Sequence, residues 1–118
     1  MKNIIDSAIR IIKKMEREKL PVRAFIAKYQ ELFAGVDKRS LIPPECREHD
    51  IYTETAYVFV VGSYIYQHIE CRPVTWFERR RFAEFQHYPE LFKRTLSSSP
   101  KRRFQRLSEL KEYLNRLI

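Results

Sequence analysis

The apolar residues of the first third of the chain recur every three or four positions, which is the period of an amphipathic helix. The first stripe consists of Ile4, Ile5, Ala8, Ile11, Ile12 and Met15. The second consists of Val22, Phe25, Ile26, Tyr29, Leu32 and Phe33. Pro21 is suited to open the second helix, because its fixed φ matches the first helical position. Gly35 is a candidate left-handed cap, so residues 1–35 are predicted to form a pair of antiparallel helices.

The middle of the chain changes from an aperiodic segment to a strongly apolar one. Residues 36–50 have no helical period and contain Pro43 and Pro44, so we interpret them as a connecting loop or a docking segment. Residues 51–69 are apolar on most sides, and their β-branched residues make a strand a competing interpretation. Because 19 residues without a turn signal exceed the usual length of a strand, a buried central helix is favoured. Gly62 is expected to let a neighbouring helix approach closely.

Turn and cap signals divide the last third into further helices. Thr75 is placed to cap a helix over about residues 76–88, and Pro89 to open a short helix that ends near residue 96. Ser99 followed by Pro100 is typical of a helix start, so the last helix is expected to begin there. Its apolar stripe consists of Phe104, Leu107, Leu110, Leu114, Leu117 and Ile118.

These elements predict an all-α fold, a small helical bundle of five to six helices with no secure strand. A single domain is expected over residues 1–118, with a helix pair in 1–35, a proline-containing loop in 36–50, and the central helix plus basic C-terminal helices in 51–118. The chain has only two glycines, which excludes phosphate-binding loops of the Walker and dinucleotide types. We expect a cytoplasmic protein, because no signal peptide or membrane span is evident and two cysteines are too few for a secreted disulfide scaffold.

The positive charge is unevenly distributed. The formal net charge is +8, and residues 61–118 hold 12 basic against 6 acidic side chains, whereas residues 1–60 hold 11 against 9. Most of the basic residues between Arg72 and Arg106 are arginines, whose planar guanidinium can bind phosphate with two parallel hydrogen bonds. The predicted nucleic-acid-binding residues are Arg72, Arg79, Arg80, Arg81, Lys93, Arg94, Lys101, Arg102, Arg103 and Arg106.

The expected start of the last helix adds to this prediction. Lys101, Arg102 and Arg103 would stand in its first turn, where the helix dipole disfavours cations unless an anion is bound. The alternative is a solvated basic face. Aromatic residues interleaved with the basic block, such as Trp76 and Phe92, are interpreted as core residues in preference to base-stacking groups. Contacts to the phosphate backbone, which read shape and not base sequence, are therefore expected.

Both cysteines and two of the three histidines form pairs of equal spacing. Cys46 and His49 lie in the proline-containing loop, whereas His68 and Cys71 share a face near the end of the central helix. The four side chains would complete a tetrahedral zinc site if the loop folded back over that helix. The alternative, which we favour, is two free thiols and two hydrogen-bonded histidines, with no metal and no cofactor.

No group of residues has the pattern of an enzyme active site. Cys71 is a candidate nucleophile, and His87 with Glu84 a candidate base. No oxyanion-binding group and no pair of catalytic carboxylates accompany them. We therefore expect a protein without enzymatic activity.

The second half of the chain resembles a known family. Residues 54–57 and 61–66, then 81–85 and 88–94, and then a leucine-rich last helix are similar in order and apolar spacing to the helical C-terminal region of type I CRISPR effector large subunits. That region also occurs as a separate small subunit of the interference complex. The resemblance covers about residues 54–118. It implies a helical bundle without catalytic activity that lies along the guide RNA and offers a basic face to the target duplex or the displaced strand.

The sequence therefore predicts a non-catalytic, sequence-independent nucleic-acid-binding subunit of an RNA-guided effector complex. Its expected partners are DNA, the guide-RNA backbone and other protein subunits, including further copies of itself, with no membrane partner. The alternative is a small helical immunity protein or antitoxin that neutralises a partner toxin. At least one apolar stripe is expected to be covered by another subunit.

Overall fold

A computed structural model describes residues 2–74 and 87–118 of the chain. The α-helices in this part are α1 (Lys2–Glu18), α2 (Val22–Lys28), α3 (Glu54–Glu70), α4 (Pro89–Lys93) and α5 (Leu107–Leu117). Single turns of 3₁₀-helix cover Gln30–Phe33, Lys38–Leu41, Pro44–Cys46 and Pro100–Arg102. No strand occurs in these two segments, so the prediction of an all-α fold is confirmed. Most of the helix expected over residues 76–88 lies outside the described residues.

Helix α3 is the centre of the bundle. Residues 56–67 are all buried, which explains why its apolar residues occupy every side. The helix begins where the Thr53 hydroxyl accepts a hydrogen bond from the backbone N–H of Ala56, at 3.1 Å. It ends at Cys71, whose left-handed backbone breaks the helical path. The prediction of a buried central helix is therefore confirmed, and the competing strand interpretation is wrong.

The C-terminal end of α1 lies beside the N-terminal halves of α3 and α5, and the three helices contact one another. Just after α1 ends, the carbonyl of Leu20 accepts a hydrogen bond from the Tyr57 hydroxyl in the first turn of α3. Near the same end, Lys111 in the first half of α5 pairs with Glu16 in the last turn of α1, with 2.7 Å between Nζ and Oε1. Helices α1, α3 and α5 therefore form a three-helix core.

Helix α2 is too short to pair with α1 along its length. It has seven residues, and the chain tightens into a 3₁₀ turn directly after Tyr29. Its main contribution to the core is Phe25, whose ring packs edge-on against Tyr57 at 5.5 Å between centroids. The expected antiparallel pair therefore exists only as a long helix followed by a short one, and the main partners of α1 are α3 and α5. Gly35 has the left-handed φ expected of it, at 84°, but it follows the Gln30–Phe33 3₁₀ turn and does not cap α2, which ends at Lys28.

The segment 36–50 packs on α3. Its Leu41 and Cys46 are fully buried. The Ser63 hydroxyl donates to the carbonyl of Ser40 at 2.7 Å, and the Gln67 side chain bonds both backbone groups of Asp37. The loop interpretation is thus confirmed in the sense of secondary structure, since the segment contains only single 3₁₀ turns, but it packs firmly on the central helix.

Almost all large apolar side chains in the described segments lie in one core. Ile118, which is 49% exposed, is the exception. The N-terminal stripe and the stripe of α5 face α3 and each other, so neither leaves an open apolar face for another subunit. The expectation of an uncovered stripe is therefore wrong for residues 2–74 and 87–118. None of the helices described is long and apolar enough to cross a membrane.

Candidate nucleic-acid interface

The last helix begins at Leu107, so the prediction that it begins at Pro100 is wrong. Pro100–Arg102 forms one turn of 3₁₀-helix, after which Arg103 is extended, with a φ of −86° and a ψ of 167°. Arg106 is also extended and immediately precedes α5. Lys101, Arg102 and Arg103 therefore do not stand in the first turn of an α-helix, and the dipole argument for an anion at this place does not apply.

Arg103 points into the protein and pairs with Glu45. Its guanidinium makes two hydrogen bonds to the Glu45 carboxylate, at 2.5 and 2.9 Å. It also donates to the backbone carbonyls of Thr55 and Ser97, at 3.0 and 2.8 Å, and lies 5.0 Å from the centre of the Phe59 ring. Since the side chain is completely buried, its assignment as a phosphate-contacting residue is corrected: Arg103 holds the turn against α3.

The protein itself supplies an anion at the N-terminus of α5. The Glu54 carboxylate, in the first turn of α3, accepts a hydrogen bond from the backbone N–H of Leu107 at 3.0 Å. One carboxylate thus lies at the starts of two helices, where the helix dipoles favour negative charge.

Replacing Glu54 is expected to destabilise the fold modestly. Glu54→Gln keeps an oxygen acceptor for Leu107 and loses only the charge, so we expect a loss of about 0.3 to 1 kcal/mol. Glu54→Ala also removes the cap, and a total loss of about 1 to 2 kcal/mol is expected. Urea unfolding of both variants measures this difference. Equal stability of the Ala variant and the unmodified protein would contradict the capping role.

The remaining basic residues of this region, Arg94 half-buried and the others exposed, form one surface because two chain segments are joined. The backbone N–H of Phe104 donates to the carbonyl of Arg94 at 2.9 Å, and the Arg94 guanidinium lies 4.0 Å from the centre of the Phe104 ring. Gln105 stabilises the turn by donating to backbone carbonyls of Pro100 and Arg103. The C-terminal basic surface, as we call it, consists of Lys93, Arg94, Lys101, Arg102 and Arg106.

The cations of the C-terminal basic surface have no acidic partner in the described part of the chain. Lys93, Lys101, Arg102 and Arg106 are exposed. None of them takes part in a salt bridge within residues 2–74 and 87–118. Glu90 and Glu109, which are also exposed, are the acids nearest to them in sequence. The surface therefore keeps its positive charge available to an external anion.

The other predicted phosphate contacts lie elsewhere. Arg72 is exposed just beyond the end of α3. Arg79, Arg80 and Arg81 lie outside the described residues. Among the aromatic residues of the basic block, Phe92 and Phe104 are buried, as the core interpretation predicted.

The two Cys/His pairs are far apart, so the zinc hypothesis is wrong. Cys46 lies near the start of α3, because its neighbour Glu45 and the carbonyl of Thr55 in the first turn of α3 both accept hydrogen bonds from the Arg103 guanidinium. His68 and Cys71 lie at the opposite end of that helix, about 20 Å further along its axis at 1.5 Å per residue. Accordingly, no group of three or more His, Cys, Asp and Glu residues in the described segments could hold a metal ion.

The free cysteines have contrasting environments. Cys46 is buried, and burial raises the pKa of its thiol, with the neighbouring Glu45 acting in the same direction. Cys71 is exposed and opens onto a cleft of about 280 Å³ at the end of α3. The cleft is lined by Gly35, Asp37, Gln67, His68, Cys71, Arg72 and Pro73. Two of its lining residues, Gln67 and Asp37, are bonded to each other where the loop attaches to α3.

Comparisons with known proteins give no relative for this chain: no family model, no curated protein and no solved structure matches it. The fold and surface define an all-α protein with an exposed basic region.

No sequence signal indicated Glu45 or Glu54 as partners, since they lie 58 and 53 residues from the groups that they bind.

Proposed function

We propose that the protein binds nucleic acid through the phosphate backbone, without catalysis and without reading base sequence, by means of the C-terminal basic surface. The observation that carries this proposal is the junction of Phe104 with Arg94, which brings Lys93 and Arg94 beside Lys101, Arg102 and Arg106. Cations on one rigid surface can contact successive phosphates without losing much conformational freedom on binding.

The mixture of side chains fits a phosphate ligand. Three of the five residues are arginines, which can hold a phosphate with two parallel hydrogen bonds. Arg94 is already oriented by the Phe104 ring, so its guanidinium needs little further ordering. The apolar side chains beneath the surface are in the core. The expected source of affinity is therefore attraction to the negatively charged phosphates of the nucleic acid, and not stacking on its bases.

The finer form of the proposal is that the chain is a small subunit of an RNA-guided interference complex. It is supported by the resemblance of residues 54–118 to the helical region of CRISPR effector large subunits and by the helical bundle that this resemblance implies. Purification of the tagged protein from its own cells is expected to recover RNAs that share a constant repeat sequence. A 1:1 complex with a toxin, without RNA, would instead establish the antitoxin alternative.

Neutralising three cations of the surface is expected to make binding less sensitive to salt. In Lys93→Gln/Lys101→Gln/Arg102→Gln, loss of three phosphate contacts to duplex DNA should make the slope of log K against log salt shallower by about 2.7. Between 50 and 200 mM salt, the unmodified protein should therefore lose about 40-fold more affinity than this variant. Fluorescence anisotropy with labelled duplexes of unrelated sequence measures the effect, which should be the same for each sequence.

A control variant with the same net charge separates phosphate contacts made by the C-terminal basic surface from general electrostatic attraction to the nucleic acid. Lys38→Gln/Arg39→Gln/Arg116→Gln, the control variant, also removes three exposed positive charges, but from the loop before α3 and from the end of α5. It is expected to bind with nearly the unmodified salt slope. No binding by the unmodified protein at 50 mM salt, or equal losses in both variants, would refute the proposal.

A further inference from the structure

A second basic surface lies on α1, in the half of the chain with little net charge. The apolar side of this helix is buried, as shown by Ile5, Ala8, Ile12 and Met15. Arg10, Lys13 and Arg17 follow one another at intervals of three and four residues, so they share the opposite side of the helix. All three are exposed. We call these three residues the α1 basic stripe.

The acidic residues in the second half of α1 are held away from this stripe. Glu16 pairs with Lys111 on α5, at 2.7 Å between Oε1 and Nζ. Glu18 pairs with Lys28 at 3.0 Å and accepts a hydrogen bond from the Tyr29 hydroxyl at 2.7 Å. These hydrogen bonds, the one from Tyr29 first, lower the pKa of the Glu18 carboxyl. The negative charge of each carboxylate is thus paired with a lysine at the side of α1.

The α1 basic stripe itself has no partner among the described residues. Arg10, Lys13 and Arg17 form no salt bridge and no side-chain hydrogen bond there. Asp6, one turn before Arg10, is the acid on the same side of the helix. Three positive charges against one leave the stripe net positive.

We propose that the α1 basic stripe is a second phosphate-binding surface for the same nucleic acid, an inference that rests on the proposed function. The three side chains form a row about 10 Å long at 1.5 Å per residue, which is about three phosphate intervals of one strand measured along the axis of a duplex. The apolar residues of α1 are buried, apart from Ile4, which is half-buried, so the helix has almost no hydrophobic side chains to insert into a membrane surface. A regularly spaced polyanion is therefore the ligand that the stripe fits.

The test is neutralisation of the stripe in the full-length protein. Arg10→Gln/Lys13→Gln/Arg17→Gln changes only exposed side chains, so the thermal midpoint should stay within a few degrees of the unmodified value. With a duplex of about 30 base pairs, the variant is expected to lose about 40-fold less affinity than the unmodified protein between 50 and 200 mM salt. Combining it with the C-terminal triple variant should reduce the salt slope by the sum of the two separate changes.

The outcomes distinguish this inference from the proposed function. If the C-terminal triple variant loses salt sensitivity and the α1 variant behaves like the control variant, the stripe does not contact nucleic acid and the proposed function stands. If only the α1 variant changes, the stripe is the binding surface and the assignment of the C-terminal surface is wrong. Absence of binding by the unmodified protein refutes both, and binding of an acidic protein with no DNA affinity would replace the proposed ligand.

Discussion

Arg103→Met is expected to destabilise the fold by about 3 to 5 kcal/mol, because it leaves the Glu45 carboxylate and two backbone carbonyls without their donor. The Arg103 side chain is fully buried, and its hydrogen bonds join segments that are 58, 48 and 6 residues away in sequence. Methionine fills similar space but donates no hydrogen bond. Urea unfolding followed by circular dichroism measures the loss as a lower midpoint.

Two comparisons make the Arg103 prediction specific. Arg102→Met removes the neighbouring exposed arginine and is expected to change stability by less than about 0.5 kcal/mol. Arg103→Lys keeps the charge but has at most three donors on a single nitrogen, so it cannot reproduce the four hydrogen bonds that Arg103 makes from three nitrogens and should remain clearly destabilised. Wild-type stability of Arg103→Met would show that the pair with Glu45 contributes nothing net to the fold.

Gly62→Ala is expected to destabilise the fold by about 1 to 3 kcal/mol, although alanine is the better helix former by about 1 kcal/mol. A Cβ atom at position 62 would overlap the Thr95 side chain. Thr95 has little freedom to move, because it is fully buried and its hydroxyl donates to the carbonyl of Leu91 at 2.8 Å. The steric cost therefore exceeds the gain in helix propensity, and thermal or urea unfolding measures the sign directly.

A double variant and a second glycine provide the controls. Adding Thr95→Gly to Gly62→Ala removes the overlapping atoms, so the two changes should be coupled and the double variant more stable than the sum of the single losses predicts. Gly35→Ala meets no neighbouring atom but has a φ of 84°, and we expect a backbone cost of about 1 to 2 kcal/mol there. A stabilised Gly62→Ala variant would refute the close approach of Thr95 to α3.

Most of the helical elements follow from the periodicity of the sequence. Most of the α1 and α5 stripes is buried as predicted, with Ile4 and Leu117 half-buried and Ile118 exposed. The uninterrupted apolar segment forms the buried helix α3. The close approach predicted at Gly62 is confirmed, although the approaching group is Thr95, two residues beyond the end of α4, and not a helix. These predictions succeed because apolar spacing reports how many sides of a helix must be removed from water.

The start of the last helix could not be predicted in this way. Ser99 and Pro100 have the composition of a helix start, and a helix of one 3₁₀ turn does form there. Where this turn ends, Arg103 points inward to Glu45, and α5 begins at Leu107, whose backbone N–H donates to Glu54. The competing partners come from distant parts of the chain, so local propensity does not contain them.

The candidate site shows the same division. Composition located the excess positive charge between Arg72 and Arg106, but it treated Arg103 like its neighbours. The partner of each cation decides whether it is a structural or a surface charge, and that partner is fixed only when α3, the loop before it and the 3₁₀ turn pack together. Conversely, α1 has little excess charge by composition, yet pairing of its glutamates with Lys28 and Lys111 leaves a basic stripe.

The sequence by itself determined an all-α chain, the apolar sides of its helices and the location of its charge, because these depend on residue type and spacing alone. Tertiary structure decided which charges are neutralised inside the protein and which remain exposed. The reason is physical: burying an ion requires an opposite charge and hydrogen-bonding groups at short range. In this protein, Arg103 meets those groups through contacts across the fold, whereas Lys101 and Arg102, only one or two residues before it, remain exposed.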